Sequence, residues 1–137
     1  MKILATILTA ALMLTASLTV NKKQTITATV VNVTSDSGKV SFALYNKDNF
    51  MQKPLQSINA KIIEGKSTVT FEGVEAGEYA IICFHDKNDN DKMDFQENGM
   101  PMEDYGMSNN VMTFGPPKYI DAKFEVSKED VVLEIKF

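Results

Sequence analysis

Residues 86 to 97 read Asp86-Lys87-Asn88-Asp89-Asn90-Asp91-Lys92-Met93-Asp94-Phe95-Gln96-Glu97. With Asp86 counted as the first, oxygen-bearing side chains fall at positions 1, 3, 5, 9 and 12, and the last is a glutamate. A cation loop of the EF-hand type uses those positions, adds a backbone carbonyl at position 7 and closes with a bidentate Glu at position 12. The expected ligands are therefore Asp86, Asn88, Asn90, the carbonyl of Lys92, Asp94 and Glu97. An oxygen-only set of this size suits Ca²⁺. Mg²⁺ prefers fewer protein ligands and keeps its water. Zn²⁺ wants His and Cys, of which the chain has one each, His85 and Cys83. The competing reading is a solvated acidic turn in which Asn and Asp serve only as turn formers.

Two neighbours bear on chemistry. His85 precedes the loop, and a lone histidine there either orients the loop through hydrogen bonds or acts as a general base with Glu103 or Asp104. Cys83 and His85 share strand parity, but residues i and i+2 stand ~6.6 Å apart along a strand, a poor distance for a thiol–imidazole pair. A buried, inert Cys83 is the expectation.

The elements that position these residues follow from the rest of the chain. Its 137 residues suit one domain. Met1-Lys2 followed by an apolar run to Met13 and on to Val20, with small residues at Thr15, Ala16 and Ser17, reads as a secretory leader over residues 1–20. An uncleaved anchor is the alternative, although the run barely reaches the ~20 apolar residues that spanning requires. No cysteine follows the apolar run, which disfavours lipid attachment. Without Lys2 the remainder carries 13 basic and 18 acidic side chains, and 13 − 18 = −5, with no arginine. That balance disfavours nucleic acid and phosphate clamps. A single cysteine rules out an internal disulfide, so a bound ion is a natural source of added stability.

Residues 21–137 read as strands. Thr25–Val33 is β-branched, and Lys39–Tyr45 alternates with Val40, Phe42 and Leu44 on one face. Ala60–Ile63 and Ser67–Phe71 flank a hairpin signal at Glu64-Gly65-Lys66. Glu78–Phe84 is apolar on both faces, as a central strand is. Ala122–Val126 and Val131–Phe137 alternate again. About seven strands with short turns predict an all-β, antiparallel β-sandwich. Tyr79 after Gly77-Glu78 resembles a tyrosine corner.

From His85 to Pro117 no strand is expected. This long loop holds seven acids against two lysines, 2 − 7 = −5, and five of the eight methionines. So many apolar side chains argue for an ordered excursion. Metal would tie its first third, and Tyr105, Met107, Met112 and Phe114 would pack beneath it or line a binding patch. Gly115-Pro116-Pro117 would stiffen its exit, with room for a cis bond.

The run Ala76 to Asp86, then Asn88, Asn90 and Asp94, resembles a family of small secreted bacterial proteins, the domain of unknown function 2141. Gly99-Met100-Pro101, Asp104-Tyr105-Gly106, Ser108-Asn109-Asn110 and Phe114 to Pro117 continue the match. The resemblance implies a transthyretin-like (prealbumin-like, Ig-like) sandwich and no established activity. Residues 86–100 are also similar to the calcium loops of bacterial adhesin B-repeats, departing at Asp91, where Gly is common. Loop position 6 favours a left-handed backbone that Asp tolerates less well than Gly. The resulting expectation is a secreted or periplasmic, calcium-stabilised sandwich that serves the bacterial envelope as a binding or accessory module. Its partner would be a protein or a carbohydrate, and no span would remain after removal of the leader. The alternative is a hydrolase-like enzyme using His85 and acids of the 85–117 loop.

Overall fold

A computed structural model of the chain describes Ser17 and residues 19–137. The leader expected over residues 1–20 lies, apart from Ser17, Thr19 and Val20, outside them. No helix among the described residues is long and apolar enough to cross a membrane.

The described residues form eight strands in two sheets. They are β1 (Gln24–Val30), β2 (Lys39–Tyr45), β3 (Gln56–Ala60), β4 (Ser67–Val74), β5 (Gly77–Asp86), β6 (Tyr105–Met107), β7 (Phe124–Val126) and β8 (Val131–Ile135), with one helical turn, α1 (Tyr119–Ala122), before β7. One sheet runs β4-β1-β8. The other runs β3-β2-β5-β6, with β7 also pairing β5. The fold is an all-β sandwich, and alternation drives it. In β1 and β2 every second residue is buried, so Ile26, Ala28 and Val30 meet Val40, Phe42 and Leu44 in the core. Phe71, Ile81, Val126 and Ile135 fill the rest of that layer. β5 has β2 along one side, and on the other β7 beside Gly77–Tyr79 and β6 beside Ile82–Phe84, so that Ala80, Ile81, Cys83, His85 and Asp86 are buried.

Three features depart from the expected pattern. First, β8 lies parallel to β1, Ile26 opposite Val131 and Val30 opposite Ile135. The chain leaves the five-stranded sheet after β7, crosses to the other and enters beside β1 in the same direction. The Thr25 N–H donates to Asp130 Oδ1 at 2.9 Å and anchors that entry. Second, Glu64-Gly65 does form a two-residue turn with positive φ at both residues, 51° and 73°. Ile63 and Lys66 pair across it. But the strands on either side belong to different sheets, because the chain changes layer at the buried Ile62. Third, the excursion expected to lack strands contains β6 and a 3-10 turn, Ser108–Asn110.

That turn acts as a latch. The Ser108 hydroxyl, fully buried, accepts the Ile81 N–H at 3.0 Å and donates to the Ala122 carbonyl. Asn109 Nδ2 donates to the carbonyls of Asp121 (3.1 Å) and Lys123 (2.8 Å). Asn110 pairs with β8, donating to the Glu134 carbonyl at 2.9 Å and accepting the Lys136 N–H at 2.8 Å. A small second core lies on the outer face of β5. Ala80, Met107 and Ala122 are buried there with Phe50, Ile82 and Tyr119 against them, and Phe50 meets Tyr45 and Tyr119 edge-on. Met112 and Phe114, expected to pack beneath the excursion or line a patch, take no part in this second core and stand in solvent. The Tyr79 hydroxyl donates to the Glu75 carbonyl at 2.8 Å, as a tyrosine corner requires. Every peptide bond among the described residues is trans, including those at Pro116 and Pro117.

Candidate metal centre

The acidic loop begins where β5 ends. Asp86 is paired with Lys39 of β2 and has no exposed surface. A buried carboxylate must be hydrogen-bonded or paired with charge. Asp86 has both kinds of partner. Its Oδ1 accepts the Asn90 N–H at 3.1 Å and its Oδ2 the Asp91 N–H at 2.9 Å. The chain turns back tightly enough to make these bonds because Asp89 and Asp91 adopt positive φ, 58° and 65°. Asp91 occupies loop position 6, and its backbone is left-handed as that position demands. On the other side the β1–β2 connection presses close. A Cβ on Gly38 (φ 73°) would lie 2.0 Å from the Asp86 carbonyl oxygen.

One oxygen each from Asp86, Asp89 and Asp91 lies within 4.8 Å of the others, a spacing that could hold a cation. The Lys39 ammonium reaches all three carboxylates, with Nζ 2.6 Å from Asp89, 3.7 Å from Asp86 and in contact with Asp91. Hydrogen bonds to Asp89 and Asp91 hold its pKa well above the ordinary lysine range, against a smaller opposing effect of desolvation.

The other expected ligands gather beside this cluster, with one exception. Asn88 Nδ2 donates to the Asp94 carboxylate at 2.8 Å, and Asn90 Nδ2 donates to its two oxygens at 2.9 and 3.0 Å. The Lys92 N–H reaches Asn90 Oδ1 at 3.2 Å. Glu97 is elsewhere. Residues 94–102 form a small hairpin in which the Met102 N–H donates to the Asp94 carbonyl, the Gln96 N–H donates to the Met100 carbonyl, and Phe95 faces Pro101. Glu97 lies in its turn, exposed. The same hairpin delivers a different glutamate to the loop. Glu103, 6% exposed, accepts the Lys87 N–H at 3.1 Å on Oε1 and the Asp94 N–H at 3.3 Å on Oε2. Sequence reasoning placed Glu103 only among general acid–base candidates. The signal that marks it is the turn Asn98-Gly99 followed by Pro101, which predicts a chain reversal and the return of a later carboxylate.

His85 lies on the core side of β5, fully buried. Its N–H donates to the Asp104 carbonyl at 2.8 Å, and ring Nε2 sits 2.7 Å from the Ser37 carbonyl, so Nε2 carries the proton. The ring therefore ties the β1–β2 connection to the loop. The Asp104 carboxylate accepts from Thr34 Oγ1 at 3.3 Å and pairs with Lys87 at 3.5 Å. Cys83 is buried, and burial pushes its thiol pKa far up. Its S–H faces the Gly106 carbonyl at 3.7 Å.

Residues 28–134 match a family described as "Uncharacterized protein conserved in bacteria (DUF2141)". Among curated proteins none matches. Among solved structures, the pilus-presented adhesin Cpa is similar at 14% identity, over 86% of this chain and 27% of that one, with a TM-score of 0.30. A cysteine-to-alanine mutant of that adhesin is similar at 15% identity, over 86% and 28% of the two chains, with a TM-score of 0.30. This chain thus spans little more than a quarter of the adhesin's length.

Proposed function

The chain belongs to the uncharacterised bacterial family DUF2141, and from that premise we propose that it is a calcium-stabilised binding or accessory module of the bacterial envelope, secreted by the leader in residues 1–20. The observation that carries the calcium reading is Asp86, a fully buried carboxylate with Asp89 and Asp91 close by and a cationic group already drawn to all three. The donor set is oxygen throughout and fits a hard cation. Asp86, Asn88, Asn90, Asp94 and the carbonyl of Lys92 would hold the ion, and Glu103 would take the closing role expected of Glu97. Asn88 and Asn90 turn their amide nitrogens to Asp94, and a half-turn of each amide would present oxygen instead. The ion's contribution is charge. It would neutralise converging carboxylates and fix the excursion as a rigid surface for a protein or carbohydrate partner.

Thermal unfolding of the protein in EDTA and across a calcium series, with magnesium as control, tests the proposal. At free calcium ~100 times the dissociation constant the added stability is ~2.7 kcal/mol. A saturable, calcium-selective rise in Tm is expected. An identical Tm in EDTA and in millimolar calcium would refute the ion site.

A further inference from the structure

The methionines of the excursion do not pack as apolar residues of an ordered loop usually do. Met107 is buried, but Met100 and Met102 are 58% and 61% exposed. Each gives up much of the ~1.5–3 kcal/mol that burial of such a side chain yields. Their placement is regular. The hairpin register pairs Phe95 with Pro101 on one face. The bonds Met102 N–H to Asp94 carbonyl and Gln96 N–H to Met100 carbonyl set Met100 and Met102 on the opposite face, across from Gln96 and Asp94. The intervening Pro101 restricts both its own φ and the backbone of Met100, so the hairpin's returning arm is held extended up to the bend at Met102. Met100 and Met102 thus lie on one side of that arm, their α-carbons ~6.6 Å apart in extended geometry. Each thioether is on a flexible side chain long enough to meet the other at a shared ion.

We propose that Met100 and Met102 form a two-thioether site for a soft monovalent cation of the copper(I) or silver(I) class. Thioether sulfur is a soft, neutral donor that hard calcium ignores and copper(I) selects. The acidic surroundings raise the local concentration of any cation. The site stands apart from the calcium reading, because it shares neither donor type nor ion with it.

Silver(I), which needs no reductant, is the probe, and the protein carries ¹³C-labelled methionine methyl groups. The methyl resonances of Met100 and Met102 are expected to shift together and saturate at one equivalent, with and without added calcium, in buffer free of chloride and chelator. Met112, 98% exposed and on a separate loop, should not follow them. The volume-conserving double variant Met100→Leu/Met102→Leu should weaken silver binding by about tenfold or more and leave Tm unchanged. Thioethers have no proton to lose, so affinity should hold from neutral pH to about pH 5. The proposal is overturned if Met112 and Met51 respond at the same silver concentration, which is non-selective thioether binding. It is equally overturned if the double variant binds as the parent does.

Discussion

The carboxylate of Glu103 accepts the backbone N–H of Asp94 at 3.3 Å and that of Lys87 at 3.1 Å, so one side chain spans the acidic loop from its second residue to its ninth. Glu97, the residue that loop spacing singles out, does not do this. Glu103→Gln should therefore abolish most of the calcium-dependent rise in Tm, whereas Glu97→Gln should leave it intact. Glu103→Ala should in addition cost about 1–3 kcal/mol in EDTA, because two backbone donors lose their acceptor. The chain has no tryptophan, so calorimetry or circular dichroism is the suitable readout. Equal calcium responses in both glutamine variants would remove Glu103 from the site.

Lys39 makes an opposite pair of predictions. Its ammonium neutralises Asp86, Asp89 and Asp91. Lys39→Met should lower stability in EDTA and raise calcium affinity, since the competing cation is gone. The pH sign follows from linkage. The folded-state pKa is raised, so the contribution of Lys39 is fully present below the ordinary lysine value of 10.5 and is lost as pH climbs through the folded-state value. The stability difference between wild type and variant, followed by denaturant titration, should be flat from neutral pH to about pH 10 and shrink above it.

Ser108 carries a buried hydroxyl between Ile81 and Ala122. Ser108→Ala should leave the Ile81 N–H without its side-chain acceptor and cost about 1–3 kcal/mol. Hydrogen exchange should show faster opening of α1 and β6 than of β1 and β2, because the latch holds the former pair and the main core the latter.

Two glycines separate crowding from backbone strain. Gly38→Ala places a Cβ 2.0 Å from the Asp86 carbonyl oxygen, so β2 or the acidic loop must move. Gly99, at φ 83°, has no atom near its Cβ position. Gly99→Ala should cost only the left-handed penalty, about 1–2 kcal/mol. Gly38→Ala should cost more and should also impair the calcium response. Similar losses in both variants, with calcium binding intact in each, would contradict this.

Much of the fold is legible in the residues. Lys39–Tyr45 reads as a strand from its alternation and is one end to end. The double-sided apolarity of residues 78–84 marks the strand with neighbours on both sides. What escapes is non-local. Tyr105-Gly106-Met107 is too short for a period to register, and it is a strand because Ile82 to Phe84 offers it an edge. The alternation of Val131–Ile135 defines its inward face but not its direction beside β1. In the acidic loop, spacing places Asp86, Asn90 and Asp94 near one another, since they are local. It gives no hint that Glu103, and not Glu97, meets the loop backbone, because the hairpin inserted after Asp94 makes sequence distance a poor guide to proximity.

The pairing of β1 with β8 joins residues about a hundred positions apart, and the Asn32 side chain likewise meets the Phe137 backbone at 3.0 and 2.9 Å. Until Val131–Ile135 arrive, β1 is an open edge with Ile26, Ala28 and Val30 behind it. Such an edge is a hazard for wrong pairing. The three-stranded sheet therefore cannot be completed before β8 has been made. The same arrangement makes that strand the point at which a truncated or stalled chain would aggregate.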